Sequence, residues 1–190
     1  SEMCIRDRYT AQRRGELKKG SVIPAGQTTQ MIIGATNDTD GKIIRLSERL
    51  YRGLAMKRVY YSAYIPLGDS QYIPPKPPDL IRENRLYQAD WLLRFYGFES
   101  GDLLPEQENL PLDIDPKCAW AIRNLDKFPV EINTADYETL LKIPGIGVRS
   151  ANRITAARRT TKLTYDDLKK MKIVLKRAKH FILCLSLIHI

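Results

Sequence analysis

The residues most suited to binding chemistry lie near the end of the chain, in the run Pro144-Gly145-Ile146-Gly147. Glycine permits positive φ angles and carries no Cβ atom, so a ligand can approach the backbone of Gly145 and Gly147 closely. We predict that a helix begins at Val148, and its first amides, including that of Ser150, have no partner inside the helix. These amides lie at the positive end of the helix dipole. The run therefore predicts an anion site that fits a phosphate group.

Three basic side chains flank this run. Lys142 precedes the turn, and Arg149 and Arg153 follow it four residues apart, on one face of the predicted helix. Their long cationic side chains add attraction to neighbouring phosphates. Ile146, between the two glycines, is expected to be buried and to anchor the turn against its two helices. No side chain here is suited to reach base edges in a groove, so the pattern predicts contact that positions a nucleic acid without reading its sequence.

The formal net charge of +9 is distributed unevenly along the chain. Residues 129–184 carry twelve basic and five acidic side chains, and residues 1–64 carry twelve and six. Residues 65–128 carry seven basic and eleven acidic side chains. This separation favours a module that binds a polyanion. A basic face that contacts only solvent is the alternative, and charge alone does not decide between them.

Two predicted helices position the glycine run. The first begins with Asn133 as its N-cap, and Asp136 three residues later completes an acidic form of the capping box. The second opens at Val148 and keeps Ala151 and Ile154 on one face. A plain turn between packed helices is the alternative for the same residues.

A second, degenerate copy of this pattern follows in residues 168–178. It places Ile173 at the position of Ile146 and Lys176 at the position of Arg149. Because its glycines are absent, we predict that its backbone does not form the same phosphate site. Its basic side chains are expected to supply charge instead; they are Lys172, Lys176 and Lys179.

The first part of the chain has the pattern of an α/β unit. Residues 30–36 and 57–64 are β-branched or aromatic runs that predict strands. Residues 39–54 between them have the apolar spacing of an amphipathic helix. Strand, helix and strand with short joints predict a parallel pair. Since two strands are not stable alone, we expect this unit to be the end of a larger α/β domain.

A connector follows this unit. Residues 73–78 form a proline-rich spacer, and residues 79–98 are predicted to form a long helix. Residues 100–113 are predicted to be an acidic loop. Asp115 and the proline after it predict the start of another short helix, which ends near Asn124.

Three cysteines, Cys4, Cys118 and Cys184, are too far apart in sequence to predict a zinc or iron–sulfur site. Their small number fits a reducing cytoplasm. No apolar run reaches eighteen residues, so we expect neither a membrane-spanning segment nor a membrane partner.

Residues 131–159 resemble the helix-hairpin-helix family, whose hairpin signature is L-x-x-I/L-P-G-I/V-G followed by a basic residue. The resemblance implies binding to the DNA phosphate backbone, with paired hairpins on the minor-groove side. The candidate DNA-binding residues are Lys142, Pro144, Gly145, Ile146, Gly147, Val148, Arg149, Ser150, Arg153 and Lys176.

Residues 26 to about 184 also resemble the C-terminal part of a bacterial family of radical SAM proteins described as DNA modification or repair enzymes. GQTTQMIIGAT at 26–36, KRVYYSAYIP at 57–66 and RLYQADWLLRFYGF at 85–98 carry this resemblance. It implies a [4Fe–4S] cluster and S-adenosylmethionine in the full-length protein. The cluster motif C-x₃-C-x₂-C is not in this chain, so we expect no cofactor, metal or catalytic residue here. Ile32 and Gly34 match part of a barrel motif that lies along the adenosyl group in that family.

The sequence thus predicts an α/β fragment, the end of a partial TIM-like radical SAM barrel, followed by an all-α helix-hairpin-helix domain. We expect foreign tails at 1–10 and 185–190, the barrel part at 11–72, the connector at 73–127 and the helix-hairpin-helix domain at 128–184.

Two alternative functions stay open. A helix-hairpin-helix DNA glycosylase would use an aspartate about twenty residues beyond the hairpin, where Asp166 and Asp167 lie. The same two residues fit a helix start, with Thr164 as the N-cap. In the other alternative, the hairpin packs against a protein partner.

Overall fold

The computed structural model describes residues 26–66 and 74–184, which form two compact units. Unit 1 comprises the described residues up to Asp90 together with Glu99–Leu112. Unit 2 comprises Trp91–Phe98 and the described residues from Asp113 onward. Both predicted tails lie outside the described residues. Within the described ranges, no helix combines the length and apolar character needed to cross a membrane.

Unit 1 is built on a strand–helix–strand motif. Strand β1 spans Thr28–Ile33, helix α1 spans Asp40–Leu54 and strand β2 spans Arg58–Ala63. The strands pair in parallel, with Thr28 opposite Arg58 and Ile33 opposite Ala63. The predicted parallel βαβ unit is confirmed, with strands slightly shorter than expected.

The start of α1 is closed by the protein itself. Thr39 is the N-cap and its hydroxyl accepts the Lys42 amide. The amide of Gly41 donates to the Glu108 carbonyl at 3.0 Å, and the buried carboxylate of Asp40 accepts the Leu110 amide at 3.0 Å. The segment 105–110 therefore covers this helix terminus.

Helix α2 spans Leu80–Phe95 and ends before Gly97, whose φ is +69°. It is shorter than the predicted helix at 79–98. The predicted acidic loop is wrong at its start, because Ser100–Leu103 form a short helix, α3. A capping box explains this helix, since the Asp102 carboxylate accepts the Glu99 amide at 3.2 Å.

Five further short helices lie in the described part of unit 2. Helix α4 begins at Pro116 behind its N-cap Asp115, as predicted, and a 3₁₀ turn follows it. The bounds are α4 Pro116–Arg123, the 3₁₀ turn Leu125–Lys127, α5 Tyr137–Lys142, α6 Val148–Ala157, α7 Tyr165–Lys170 and α8 Leu175–Ala178.

A small parallel pair in unit 2 departs from the all-α prediction. Strand β3 spans Val130–Glu131 and strand β4 spans Ile182–Leu183, with Val130 opposite Ile182. The Val130 amide donates to the Phe181 carbonyl at 2.9 Å. Two-residue strands are too short to leave a periodic pattern in a sequence, which explains why this pair was not predicted.

The core of unit 2 is shared by both copies of the hairpin pattern. Ile146 is 1% exposed, and its counterpart Ile173 is 6% exposed. Both isoleucines belong to one apolar cluster, so the two copies stabilise each other through a common core. Other buried members of the cluster are Ile132, Leu140, Leu141, Ile143, Ala151, Ile154, Leu163, Leu168, Ala178, Ile182 and Cys184.

Candidate nucleic-acid interface

Helix α5, which leads into the glycine run, begins later than predicted. Its N-cap is Asp136, whose carboxylate accepts the Thr139 amide at 2.6 Å. This hydrogen bond lowers the pKa of the Asp136 carboxyl from its ordinary value. The predicted N-cap Asn133 is wrong. Its side chain instead bonds to Glu131 and to both backbone groups of Leu163, so it connects the start of one hairpin with the loop before the other.

Gly145 forms the turn and also permits close packing. Its φ of +85° is a left-handed conformation that glycine adopts without strain. A Cβ atom at this position would lie 3.0 Å from the Val174 carbonyl oxygen and 3.1 Å from the Ala178 nitrogen. The open space beside Gly145 is therefore filled by the backbone of the second copy, whereas the sequence had suggested an approaching ligand.

Gly147 has a different role. Its φ is −104° and its ψ is 177°, an extended conformation open to any residue, so the predicted positive φ is wrong here. A Cβ atom would lie 3.2 Å from the Tyr96 hydroxyl oxygen. Gly147 is the N-cap of α6, and it provides no side chain to cap the helix.

The first amides of α6 have no acceptor within the described part of the chain. Helix α6 opens at Val148, as predicted, and its first backbone bond runs from the Ala151 amide to the Gly147 carbonyl at 2.9 Å. The four amides before Ala151, those of residues 147–150, donate no hydrogen bond to any described residue. All four of these residues are at least partly exposed. One condition for phosphate binding is therefore met, because these amides have no hydrogen-bond partner in the described part of the chain and belong to residues that are not fully buried.

A buried lysine fixes the direction of one of these amides. Lys117 in α4 is 8% exposed, and its Nζ donates to the Ile146 carbonyl at 2.5 Å. The peptide bond between Ile146 and Gly147 is trans, so its carbonyl and its N–H point in opposite directions. Since the carbonyl points toward Lys117 in the interior, the Gly147 N–H points away from it.

Sequence reasoning missed Lys117, although a signal was present. A lysine in the first turn of a helix lies at the positive end of the helix dipole, where a cation is unfavourable. Burial lowers the pKa of Lys117 from 10.5 to about 7, and the nearby Asp115 carboxylate opposes this shift in part. A cation held in such a place indicates a specific contact, and the Ile146 carbonyl is that contact.

The three cations predicted beside the turn differ in their surroundings. Arg149 is exposed and makes neither an ion pair nor a side-chain hydrogen bond with the described residues. Lys142 lies over aromatic rings, with its Nζ 5.4 Å from the centroid of the Phe98 ring. Arg153 donates to the Met171 carbonyl at 3.0 Å and so links the two copies. Arg149 is thus the cation best placed to reach a ligand.

The second copy reproduces the turn without glycine. Lys172, at the position of Gly145, has a φ of +56°, and Ile173 is buried beneath it. Helix α8 then opens after Val174, which has no side-chain cap and is 60% exposed. Lys176 is exposed, as its predicted role as a source of charge requires. The prediction that this copy lacks the phosphate site stays a prediction.

Charge in unit 2 is arranged along the helices that lead into the turns. Acidic side chains lie in the first turn of α5 and α7, and basic ones lie in the last turn, nearest the hairpins. The side-chain charge next to the turns is therefore positive, although these are the negative ends of the helix dipoles. The acidic residues are Glu138, Asp166 and Asp167, and the basic ones are Lys142, Lys169 and Lys170.

In unit 1, the two residues predicted to lie near S-adenosylmethionine line a common cavity. It has a volume of about 330 Å³, and Ile32 and Gly34 both contribute to its wall. Ile32 is 54% exposed, and Gly34 has a φ of +86°. Basic side chains on α1 line the same cavity, namely Lys42, Arg45 and Arg49.

No protein-family model, curated protein sequence or solved structure matches the chain. Within residues 26–66 and 74–184, no three histidine, cysteine, aspartate or glutamate side chains lie together as a metal site would need.

Proposed function

We propose that unit 2 binds duplex DNA through the phosphate backbone and without reading base sequence. The observation that carries this proposal is the row of amides at residues 147–150, which have no acceptor among the described residues. Backbone amides at a helix N-terminus are suited to a phosphate oxygen cluster. Exposed Arg149 lies in the same turn and supplies a mobile positive charge.

The chemistry of these groups accounts for affinity without specificity. A hydrogen bond from an amide to a charged oxygen contributes about 1.5–3 kcal/mol when geometry is good. Two or three such bonds, together with counterion release at Arg149, are enough for salt-sensitive binding. Phosphates are the same at every base pair, so contacts of this kind position the protein and do not select a sequence.

The wider identity of the chain is a second part of the proposal. We infer that the chain is the C-terminal part of a radical SAM enzyme that modifies or repairs DNA, in which a [4Fe–4S] cluster and S-adenosylmethionine lie outside this chain. The parallel βαβ unit is compatible with the end of such a barrel. The coding sequence upstream tests this inference, since it must contain C-x₃-C-x₂-C, and a coding sequence without that motif would contradict it.

The glycosylase alternative loses support at Asp167. Its carboxylate accepts the Thr164 amide at 3.0 Å and the Thr164 hydroxyl at 2.7 Å in a capping box. The hydrogen bond from that hydroxyl is the main reason that the pKa of Asp167 is lowered. These contacts explain the residue by helix capping alone. Release of a damaged base from duplex DNA that Asp167→Asn abolishes would revive this alternative.

Fluorescence anisotropy with two duplexes of unrelated sequence tests the proposed binding. Wild-type protein is expected to bind both with similar affinity, which falls steeply between 50 and 200 mM salt. A protein-interaction module would show no such salt dependence. Gly147→Ala in a Tyr96→Phe background tests whether the start of α6 is the binding site. The added Cβ atom would lie 3.2 Å from the Tyr96 hydroxyl oxygen, and Tyr96→Phe removes that oxygen. Gly101→Ala is the matched control, since nothing lies within 4 Å of a Cβ atom there.

A further inference from the structure

Lys117 is a buried cation whose place in unit 2 needs an explanation. Its Nζ lies 2.5 Å from the Ile146 carbonyl oxygen and 4.8 Å from the centroid of the Tyr96 ring. The nearest acidic residue, Asp115, is occupied elsewhere: its carboxylate accepts the Cys118 amide at 3.0 Å and pairs with Arg177 at 2.6 Å. Taking an ammonium group out of water is costly, so a contact that only filled space would be better made by an apolar side chain.

The contact links Lys117 directly to the proposed DNA-binding amides. The carbonyl that accepts its hydrogen bond and the N–H of Gly147 belong to the same peptide group. A hydrogen bond to one end of a peptide group polarises the group and strengthens the donor at the other end. A cation at the carbonyl therefore makes the Gly147 N–H a stronger donor toward an anion.

We propose that Lys117 is a positioning residue for phosphate binding, which holds the Ile146–Gly147 peptide with its N–H outward and places a positive charge behind it. This role rests on the proposed function, because it acts only through the Gly147 amide. Lys117 itself is too deeply buried to contact DNA.

Protonation of Lys117 is then coupled to DNA binding. The groups that face it are Asp115, the N-cap of α4, and Tyr96, just beyond the end of α2; Arg177 in α8 neutralises Asp115. In the free protein, burial lowers the pKa of Lys117 to about 7. A phosphate bound at Gly147 raises this pKa again, so binding takes up a proton. Affinity is accordingly expected to fall as pH rises through 7, since phosphodiesters do not titrate in this range.

Lys117→Met in the full chain separates this role from a structural one. Methionine fills a similar volume without charge, so the thermal midpoint is expected to stay the same or rise. DNA affinity at pH 6.5 is expected to fall about fivefold, the effect of losing one nearby charge that is partly screened. Lys127→Met is the control, because Lys127 lies over the Trp120 ring and has no contact with the hairpin carbonyl. A parallel loss of stability and affinity would overturn the proposed role.

The pH profile gives a second readout. In a background in which His180 and His189 are replaced by glutamine, affinity of the protein with Lys117 is expected to decrease between pH 6 and 8.5. The Lys117→Met protein should show a flat profile. If Lys117→Met does not fold, the amide proton of Gly147 in the unchanged protein serves instead, since its chemical shift must follow the titration of Lys117. A Gly147 shift that is constant over this range would overturn the proposal.

The two proposals fail in different ways. If wild-type protein does not bind duplex DNA in a salt-dependent manner, the proposed function is overturned and this role with it. If wild-type protein binds and Gly147→Ala weakens binding, but Lys117→Met binds as well as wild type, only the role of Lys117 is overturned.

Discussion

Helices α1 and α6 each have a glycine in or beside the first turn, but they differ in the hydrogen-bond acceptors available to their first amides. At α1 the Gly41 amide donates to the Glu108 carbonyl and the Asp40 amide donates to Asn109 Oδ1, both at 3.0 Å. A Cβ atom on Gly41 would lie 2.1 Å from the Pro105 carbonyl oxygen, so glycine is needed there for close approach of an oxygen-bearing group. At α6, the Tyr96 hydroxyl oxygen would lie 3.2 Å from a Cβ atom on Gly147, but no oxygen of the described residues accepts a hydrogen bond from the Gly147 amide.

Amides without a hydrogen-bond partner are therefore not found at every helix start among the described residues. Helices α4, α5 and α7 are also capped, by Asp115, Asp136 and Thr164. Helix α6 has ten residues and therefore a substantial dipole, yet it lacks such a cap. The oxygen ligands that close α1 indicate what kind of group α6 is suited to receive. We infer that an external phosphate fills at α6 the place that residues 105–110 fill at α1.

The largest effect is expected from a side chain added at Gly41, where residues 105–110 already cover the start of α1. Gly41→Ala is expected to destabilise the protein by about 3 kcal/mol or more, because backbone must move to accept the new atom. Chemical denaturation measures this loss. The DNA affinity of the folded fraction should not change, since Gly41 is in unit 1. A specific loss of DNA binding in folded Gly41→Ala protein would contradict the assignment of binding to α6.

The pH dependence of stability tests the buried cation behind α6. The folded pKa of Lys117 is about 7, below its ordinary 10.5, so between these values the unfolded chain binds more protons. Stability from this residue therefore rises with pH, by on the order of 1–2 kcal/mol between pH 7 and 9. Above pH 9 the buried Cys184 thiol, whose pKa is raised to about 12, acts in the opposite direction. Denaturant titrations measure the free energy of unfolding at each pH. Between pH 7 and 9 this free energy should change differently with pH in wild type and in Lys117→Met, and an equal change would refute the assignment.

A side chain added at Gly147, at the start of α6, should affect DNA binding more than folding. Gly147→Val is expected to weaken binding to any duplex by about tenfold, because one or two amide–phosphate bonds are lost. Its stability should fall by less than that of Gly41→Ala, since the new Cβ atom meets only the Tyr96 hydroxyl at 3.2 Å, whereas at Gly41 it meets backbone at 2.1 Å. Anisotropy with duplexes of two sequences checks this expectation. A loss confined to one sequence would argue against contact with the backbone alone.

The smallest expected effect concerns the exposed cation beside the amides. Arg149→Ala should lower the slope of log affinity against log salt by about one unit, as expected for one phosphate contact. Arg159→Ala, another exposed arginine of unit 2 just beyond the end of α6, is the control and should change the slope less. Equal changes would mean that the whole basic surface, and not the start of α6, determines binding.

Local patterns in the sequence predicted the elements that depend on neighbouring residues. The parallel βαβ unit, the start of α6 at Val148 and the buried position of Ile146 all follow from apolar spacing and from glycine placement. Contacts between distant residues could not be read in this way. The Lys117–Ile146 bond spans 29 residues, and the packing of Gly145 on Val174 joins the two copies.

Competing local signals explain two of the errors. Asn133 and Asp136 are both suitable N-caps, and the choice between them depends on Leu163, thirty residues away, which binds the Asn133 side chain. The four-residue spacing of Arg149 and Arg153 likewise predicted that both lie on one face of the helix, next to the ligand. The tertiary structure instead directs Arg153 to the Met171 carbonyl.

The most direct test of the account follows the backbone amides themselves in a ¹⁵N–¹H correlation spectrum during titration with a short duplex. The amides of Gly147, Val148, Arg149 and Ser150 are expected to show the largest shifts in unit 2, and to do so alike for two unrelated sequences. Large shifts elsewhere, with these four signals unmoved at saturation, would contradict the claim that the start of α6 holds the phosphate backbone.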